Sequence, residues 1–170
     1  MKTPTRIRRA LASGVGGGLV ATVTMDVAMV LAARLAPGVL AAEKIAPEMI
    51  GRWAAGFGRG RWRHGDISEE MPVRGELRIG LAAHYVTGVT LTTLYLEATR
   101  RSGRRPGFAG GAAYGLVTAV LPLLVMFPSM GYGCCGLRSG DACRVVCSML
   151  VGHAAFGAGI GLWAATRRRG

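Results

Sequence analysis

Four long apolar stretches run through this chain of 170 residues and largely decide what it can fold into. They cover residues 10–33, 79–96, 108–127 and 145–166, and their apolar residues form continuous blocks instead of lining one helical face. At about 1.5 Å per residue, a helix of about 20 residues crosses a hydrocarbon core of about 30 Å. The sequence therefore predicts an all-α polytopic membrane protein, with four transmembrane helices bundled in a single membrane domain (1–170).

The net charge of +12 would also suit a nucleic-acid partner, but we interpret the positive charge as a signal of membrane topology. The basic residues cluster at the ends of the apolar stretches with few acidic residues beside them, so the positive-inside rule places both termini and the 97–107 connection in the cytoplasm. We therefore expect the lipid bilayer as the partner of this protein and no nucleic acid. The clusters are Lys2, Arg6, Arg8 and Arg9; Arg100, Arg101, Arg104 and Arg105; and Arg167, Arg168 and Arg169.

A cleavable signal peptide is the alternative for the first apolar stretch. The basic segment before it and the small residues at 39–42 fit that alternative. However, the apolar block is longer than an ordinary signal-peptide core and contains Asp26. We therefore expect the stretch to be retained as a transmembrane helix.

Glycines recur at intervals of four residues in three of the stretches. Such spacing lets helix backbones approach closely, within the chain or in a homo-oligomer or other membrane partner. Pro122 lies inside the third stretch, where it should interrupt the regular helix. The spaced glycines are Gly14 and Gly18; Gly107, Gly111 and Gly115; and Gly157 and Gly161.

The segment 37–78, called here the long loop, is the largest part of the chain between the apolar stretches. The charge pattern predicts that it lies on the outer side of the membrane. Pro47 begins a short amphipathic segment that predicts an interfacial helix. Beyond it, Arg59, Arg61 and Arg63 alternate with glycine and tryptophan. In an extended chain they share one side, which suits lipid head groups or another anion. The alternative is a solvated, charge-balanced loop anchored at the interface by its tryptophans.

Three of the apolar stretches each contain one ionisable residue, namely Asp26, His84 and His153. With the amino terminus inside, all three lie roughly 9–14 Å below the outer charged boundary. Ionisable groups in a bilayer are costly and usually face a partner or a cavity. The sequence therefore predicts one polar layer in the outer half of the membrane.

Such a layer suits several functions. It can relay protons or ions in a small transport or permeation component. It can bind a metal ion, or clamp a haem between two histidines, although the identity of any cofactor is unknown and none is favoured. It can also supply interhelical hydrogen bonds of about 0.6–2 kcal/mol in a structural or accessory protein. Enzyme motifs such as a Walker loop or a zinc-protease helix are absent from the sequence, so catalysis is not indicated.

The four cysteines form a second group on the predicted outer side: Cys134, Cys135, Cys143 and Cys147. An oxidising periplasm permits a disulfide, and a bond from one of the adjacent pair to Cys143 would close a small loop. Cys143 and Cys147 are four residues apart and share a helix face. Free thiols and capture of a soft metal ion are the alternatives.

Short motifs are distributed along the chain outside the cysteine region. They are Gly51-Arg52-Trp53, Gly58–His64, Pro72-Val73-Arg74-Gly75-Glu76, His84-Tyr85 with Gly88, Pro128-Ser129-Met130-Gly131, and His153-Ala154-Ala155-Phe156-Gly157. Together they resemble a bacterial membrane family called domain of unknown function 2938, over most of the chain. The resemblance implies a small multi-spanning protein of the bacterial inner (cytoplasmic) membrane, and no established activity comes with it. The cysteines are not part of the family pattern, so their chemistry would belong to this chain or a close subgroup.

Overall fold

The protein is described by a computed structural model that covers the backbone of residues 4–167 and the side chains of residues 12–41 and 44–167. Lys2, Arg168 and Arg169, from the two terminal basic clusters, lie outside the described residues. Within this range the regular structure is helical throughout. The α-helices are α1 (Pro4–Leu35), α2 (Pro47–Phe57), α3 (Glu76–Arg101), α4 (Phe108–Thr118), α5 (Phe127–Met130) and α6 (Ala142–Thr166).

Four helical segments in the described range are long and apolar enough to cross a membrane, which confirms the predicted fold class. They are Ala12–Leu35, Glu76–Arg101, Phe108–Met130 and Ala142–Thr166. Helix α2 confirms the short helix expected in the long loop. Proline occupies its first turn, where the missing backbone N–H costs no helical hydrogen bond.

The third candidate span is irregular at Pro122, as the sequence predicts. Helix α4 ends at Thr118, and a π-helical turn occupies Pro122–Met126 before α5 begins. The backbone N–H of Phe127 donates to the carbonyl of Pro122, the wider spacing that defines a π-turn. Proline has no N–H to donate to the preceding turn, so the local hydrogen-bond pattern shifts here.

Backbone contacts divide the chain into two compact units. The first unit contains the chain up to Ala28, together with Tyr85–Val117 and the chain from Gly152. The second unit contains Met29–His84 and Thr118–Val151. The single membrane domain expected from the sequence stays a prediction.

Glycines bring the helices of the first unit into backbone contact. A Cβ atom built on Gly111 of α4 would overlap the carbonyl oxygen of Gly157 on α6, and one built on Gly157 would overlap that of Gly111. A Cβ on Gly18 of α1 would likewise overlap the Val89 backbone of α3. Several of the spaced glycines therefore pack against helices of their own chain. The buried centre of this unit contains Ala21, Tyr95, Phe156 and Ile160.

The second unit places the long loop against α5 and the start of α6. Backbone hydrogen bonds join His64 to Ser129 (N to O, 2.8 Å) and Ile67 to Met130 (2.9 Å). The backbone N–H of Ala41 donates to the Ser148 hydroxyl of α6 at 3.0 Å. These bonds give the long loop a defined path. The buried core of the unit contains Ala41, Ile67, Ala119, Phe127, Met130, Tyr132, Val145 and Met149.

Candidate functional site

Arg52 of α2 is the buried organiser of the long loop. Its side chain is 6% exposed and forms a two-point ion pair with Glu76: Nε donates to Oε2 and Nη2 donates to Oε1, each at 2.9 Å. The Nη1 group donates to the backbone carbonyls of Ile67 at 3.0 Å and Glu70 at 2.7 Å. The hydrogen bond that Arg52 donates to Glu76 raises the pKa of Arg52 despite burial, so the guanidinium stays charged. One arginine thereby ties α2, the loop and the start of α3 together.

A close glycine contact puts Arg52 within reach of Glu76. A Cβ on Gly51 would overlap the Glu76 carbonyl oxygen, and a Cβ on Gly80 would overlap the carbonyl oxygen of Pro47. The two backbones touch because neither glycine carries a side chain. The residue after Gly51 therefore lies next to the first turn of α3.

His64 and Glu70 form a second polar pair in the same loop. His64 Nδ1 lies 2.7 Å from Glu70 Oε1, and Arg61 Nη2 donates to the same oxygen at 2.8 Å. The His64 side chain is only 2% exposed, and its Nε2 is buried with no hydrogen-bond partner among the described residues. A carboxylate at Nδ1 favours the proton on that nitrogen. Nε2 is then the ring nitrogen that can interact with a further group.

These side chains border a cleft of about 330 Å³ in the long loop. Arg59 lies at the cleft as an exposed side chain that makes no ion pair with any described residue. The cleft can therefore offer guanidinium and imidazole nitrogens to a small ligand. Its lining residues are Arg52, Gly56, Arg59, Arg61, His64, Glu70, Met71 and Val73.

The structure separates the three arginines that the sequence groups together. Arg59 and Arg61 border the cleft, whereas the Arg63 guanidinium stacks over the exposed Trp62 ring, 4.7 Å from its centroid. Their contact with lipid head groups or another anion stays a prediction.

Acid is expected to weaken the long loop through Glu70. Burial opposes ionisation of Glu70, but the hydrogen bond from His64 and the charges of His64 and Arg61 outweigh it and hold its pKa below the ordinary value of 4.5. A carboxylate with a lowered folded-state pKa stabilises fully above about pH 4.5, and this contribution is lost as the pH falls through the folded value. Glu70→Gln should therefore destabilise the loop by about 1–2 kcal/mol near neutral pH.

The measurement is loop unfolding in detergent micelles, followed by tryptophan fluorescence from about pH 7 to about pH 3. The difference in the free energy of loop unfolding between wild type and Glu70→Gln should become smaller as the pH falls toward about 3. Glu69→Gln is the matched control, because Glu69 is an exposed neighbour outside the cleft. A difference of constant size at all pH values would contradict the assigned role of Glu70.

In the candidate spans, the structure gives Asp26 a hydrogen bond. The Tyr85 hydroxyl of α3 donates to Asp26 Oδ2 of α1 at 2.9 Å, and both side chains are half-buried. This bond links two candidate spans through an ionisable group. A comparable bond nearby runs from the Tyr114 hydroxyl of α4 to the Leu91 carbonyl of α3, also within the first unit.

The two histidines of the predicted layer are both half-buried and belong to different compact units. His153 lies on α6 in the first unit with Asp26, and His84 lies on α3 in the second. The convergence of all three residues stays a prediction. Among the side chains that the structure describes, no three from His, Cys, Asp and Glu are grouped to hold a metal ion.

The cysteines are free thiols in this structure. Cys134 and Cys135 lie with their sulfurs 3.9 Å apart, and Cys143 and Cys147 are exposed on α6. The hydrogen bond with Cys134 raises the pKa of the Cys135 thiol, which makes its thiolate scarcer at neutral pH. The disulfide to Cys143 and the soft-metal alternative stay predictions.

The structural roles of Arg52, His64, Glu70 and Tyr85 do not follow from the sequence reasoning. Arg52, His64 and Tyr85 all occur in the motifs of the family resemblance, which was the available signal. Glu70 is one of several acidic residues in the long loop, and nothing in its local sequence distinguishes it.

The four apolar helices and the ordered polar loop define a helical membrane protein. Residues 15–167 match the family described as "Protein of unknown function (DUF2938)", which is most of the chain. The chain belongs to this family, as the motifs predict. No curated protein and no solved structure matches it.

Proposed function

We propose that this protein is a small multi-pass transport or permeation component of the bacterial cytoplasmic membrane, in which Asp26 and Tyr85 form part of a proton or ion pathway. The hydrogen bond between them carries the proposal. An ionisable side chain within a membrane span is costly, and such residues commonly mark ion pathways. A tyrosine hydroxyl can both donate and accept a hydrogen bond, so it can pass a proton to or from a carboxylate.

The proposal places both termini in the cytoplasm and the long loop outside. The positive-inside distribution of lysine and arginine supports this orientation. Exposed apolar side chains support a lipid environment: Val23, Val27 and Leu31 recur every four residues on α1 and are 48%, 51% and 49% exposed. A stripe of this kind favours contact with acyl chains or with another apolar helix.

Removing the titratable group is expected to remove ion movement. In proteoliposomes with a pH-sensitive dye inside, wild type should dissipate an imposed proton gradient, Asp26→Asn should lose at least about tenfold in rate, and Tyr85→Phe should be intermediate. Tyr114→Phe is the matched control, because it also deletes a span hydroxyl but one bonded to a backbone carbonyl. Equal rates in wild type, Asp26→Asn and empty liposomes would refute the pathway.

A structural or accessory role is the second candidate, and the backbone contact between Gly111 and Gly157 favours it. In that role the hydrogen bond between Asp26 and Tyr85 only holds α1 and α3 in register, and it contributes about 0.6–2 kcal/mol to stability. Asp26→Asn and Tyr85→Phe would then lower the melting temperature in detergent by similar small amounts. Ion flux would be absent from wild type and variants alike.

A further inference from the structure

We propose that the long-loop cleft binds a phosphate group between the guanidinium groups of Arg59 and Arg61. This site is independent of the proposed ion pathway. Three observations support it: the charge balance of the cleft, a buried nitrogen without a partner among the described residues, and the hydrogen-bond donors of the lining.

The charge balance leaves positive charge at the cleft. Arg52 is neutralised by Glu76, and its Nη1 group donates to two backbone carbonyls. Glu70 is shared between Arg61 and His64. Arg59 forms no ion pair within the described part of the chain. An anion entering the cleft would therefore meet Arg59 without first displacing a carboxylate.

The buried nitrogen is Nε2 of His64, one of the residues that line the cleft. Buried polar atoms nearly always have a hydrogen-bond partner, so an unpartnered one marks a place where a ligand can restore the balance. A Cβ on Gly56 would lie 3.0 Å from this nitrogen, so the absence of a side chain at Gly56 gives the imidazole its room. Nδ1 already faces Glu70, so Nε2 is the ring nitrogen left for another partner.

The donor set fits phosphate better than a simple carboxylate. Arg61 uses only Nη2 in its described side-chain bonds, so most of its N–H groups and all those of Arg59 remain for a ligand. Guanidinium groups bind tetrahedral oxyanions through paired hydrogen bonds. Two guanidinium groups match the several oxygens of phosphate, whereas a carboxylate has only two. The cleft of about 330 Å³ lies at the small end of ligand sites.

The phosphate can come from solution or from a lipid head group. Trp62 next to the cleft is 52% exposed with Arg63 stacked on it, a pair suited to the membrane interface. The two sources share the same chemistry at Arg59 and Arg61. The experiment therefore has an arm for each.

Binding should be measured by calorimetry with the full-length protein in a phosphate-free nonionic detergent. One arm titrates inorganic phosphate and the other a short-chain phosphatidic acid, with acetate as the carboxylate reference. We expect saturable binding in at least one phosphate arm, weakened about tenfold by Arg59→Gln and by Arg61→Gln. Binding in the first arm identifies soluble phosphate as a ligand, and binding in the second alone identifies a lipid head group.

Arg74→Gln is the matched control, because it removes one exposed arginine from the same loop outside the cleft lining. Its affinity should equal that of wild type. Arg59→Gln is the decisive variant, since Arg59 supports no described ion pair whose loss would loosen the loop. No saturable binding in either arm, equal weakening by Arg74→Gln, or acetate binding as tight as phosphate would each overturn the proposal. The proton-flux experiment does not depend on any of these results.

Discussion

Arg52→Met is expected to weaken the folded long loop by about 3–5 kcal/mol, the cost of leaving a buried charge without its partner. The variant leaves Glu76, whose side chain is only 14% exposed, without the guanidinium that binds both of its oxygens. The carbonyls of Ile67 and Glu70 also lose their donor. The loop should therefore open far more often than in wild type.

Trypsin cleavage within the long loop measures this opening, because cleavage follows the population of open chains when reclosing is fast. In detergent micelles we expect Arg52→Met to be cut about a hundredfold faster than wild type, or more. Arg74→Met removes an exposed arginine and one trypsin site from the same loop, so it controls for the change in cleavage sites. Similar rates for the two variants would contradict a buried organising role for Arg52.

The double variant Arg52→Met with Glu76→Gln separates two effects of losing Arg52. One is the unpaired carboxylate of Glu76, and the other is the loss of the hydrogen bonds to the backbone carbonyls. A neutral glutamine no longer leaves a carboxylate unpaired, so part of the lost resistance should return. The backbone N–H of Val73, which donates to Glu76 Oε2 at 2.9 Å, can still find an acceptor in the glutamine amide. A double variant that opens as often as Arg52→Met alone would assign the effect to the lost carbonyl bonds.

Gly111→Val is expected to destabilise the first unit by about 3 kcal/mol, at the upper end of ordinary overpacking. Its Cβ would overlap the carbonyl oxygen of Gly157, and a backbone atom cannot rotate away as a flexible side chain can. Helices α4 and α6 would have to separate, with loss of contact along both. The measurement is the temperature at which the detergent-solubilised protein ceases to be monodisperse.

Gly107→Val is the matched control because it makes the same change four residues earlier in the same glycine series. Apart from its two chain neighbours, a Cβ at Gly107 would have no described atom within 4 Å, so this variant should melt close to wild type. If both variants lost stability equally, the cause would be the valine itself rather than contact with α6. If neither did, the close approach of α4 and α6 would be wrong.

The helices were predictable because they depend on local properties of the sequence. The length of each apolar block decides whether a helix can cross a membrane, and Pro47 and Pro122 act on the turns that contain them. The close glycine packing was also predictable in kind, since a stripe without side chains favours backbone contact. Which helix each glycine meets, such as Gly111 with Gly157, is visible only in the structure.

The partners of the charged and polar residues were not predictable in the same way. Arg52 and Glu76 are 24 residues apart, and the loop between them offers several other acidic residues. Tyr85 is a similar case, because in the sequence it is one aromatic residue in an apolar stretch beside the more conspicuous His84. Its bond to Asp26 crosses 59 residues.

The sequence by itself therefore determined the class of protein, the four apolar helices and the short helix of the long loop. Those features follow from hydrophobic length and from backbone restrictions that act within a few residues. Only the tertiary structure decided that Arg52 is neutralised by Glu76 and that His64 pairs with Glu70. It also decided that Arg59, at the cleft, forms no ion pair with another described residue. Ion pairs and hydrogen bonds depend on distances of a few ångströms, which are set by the path of the whole loop and not by separation along the chain.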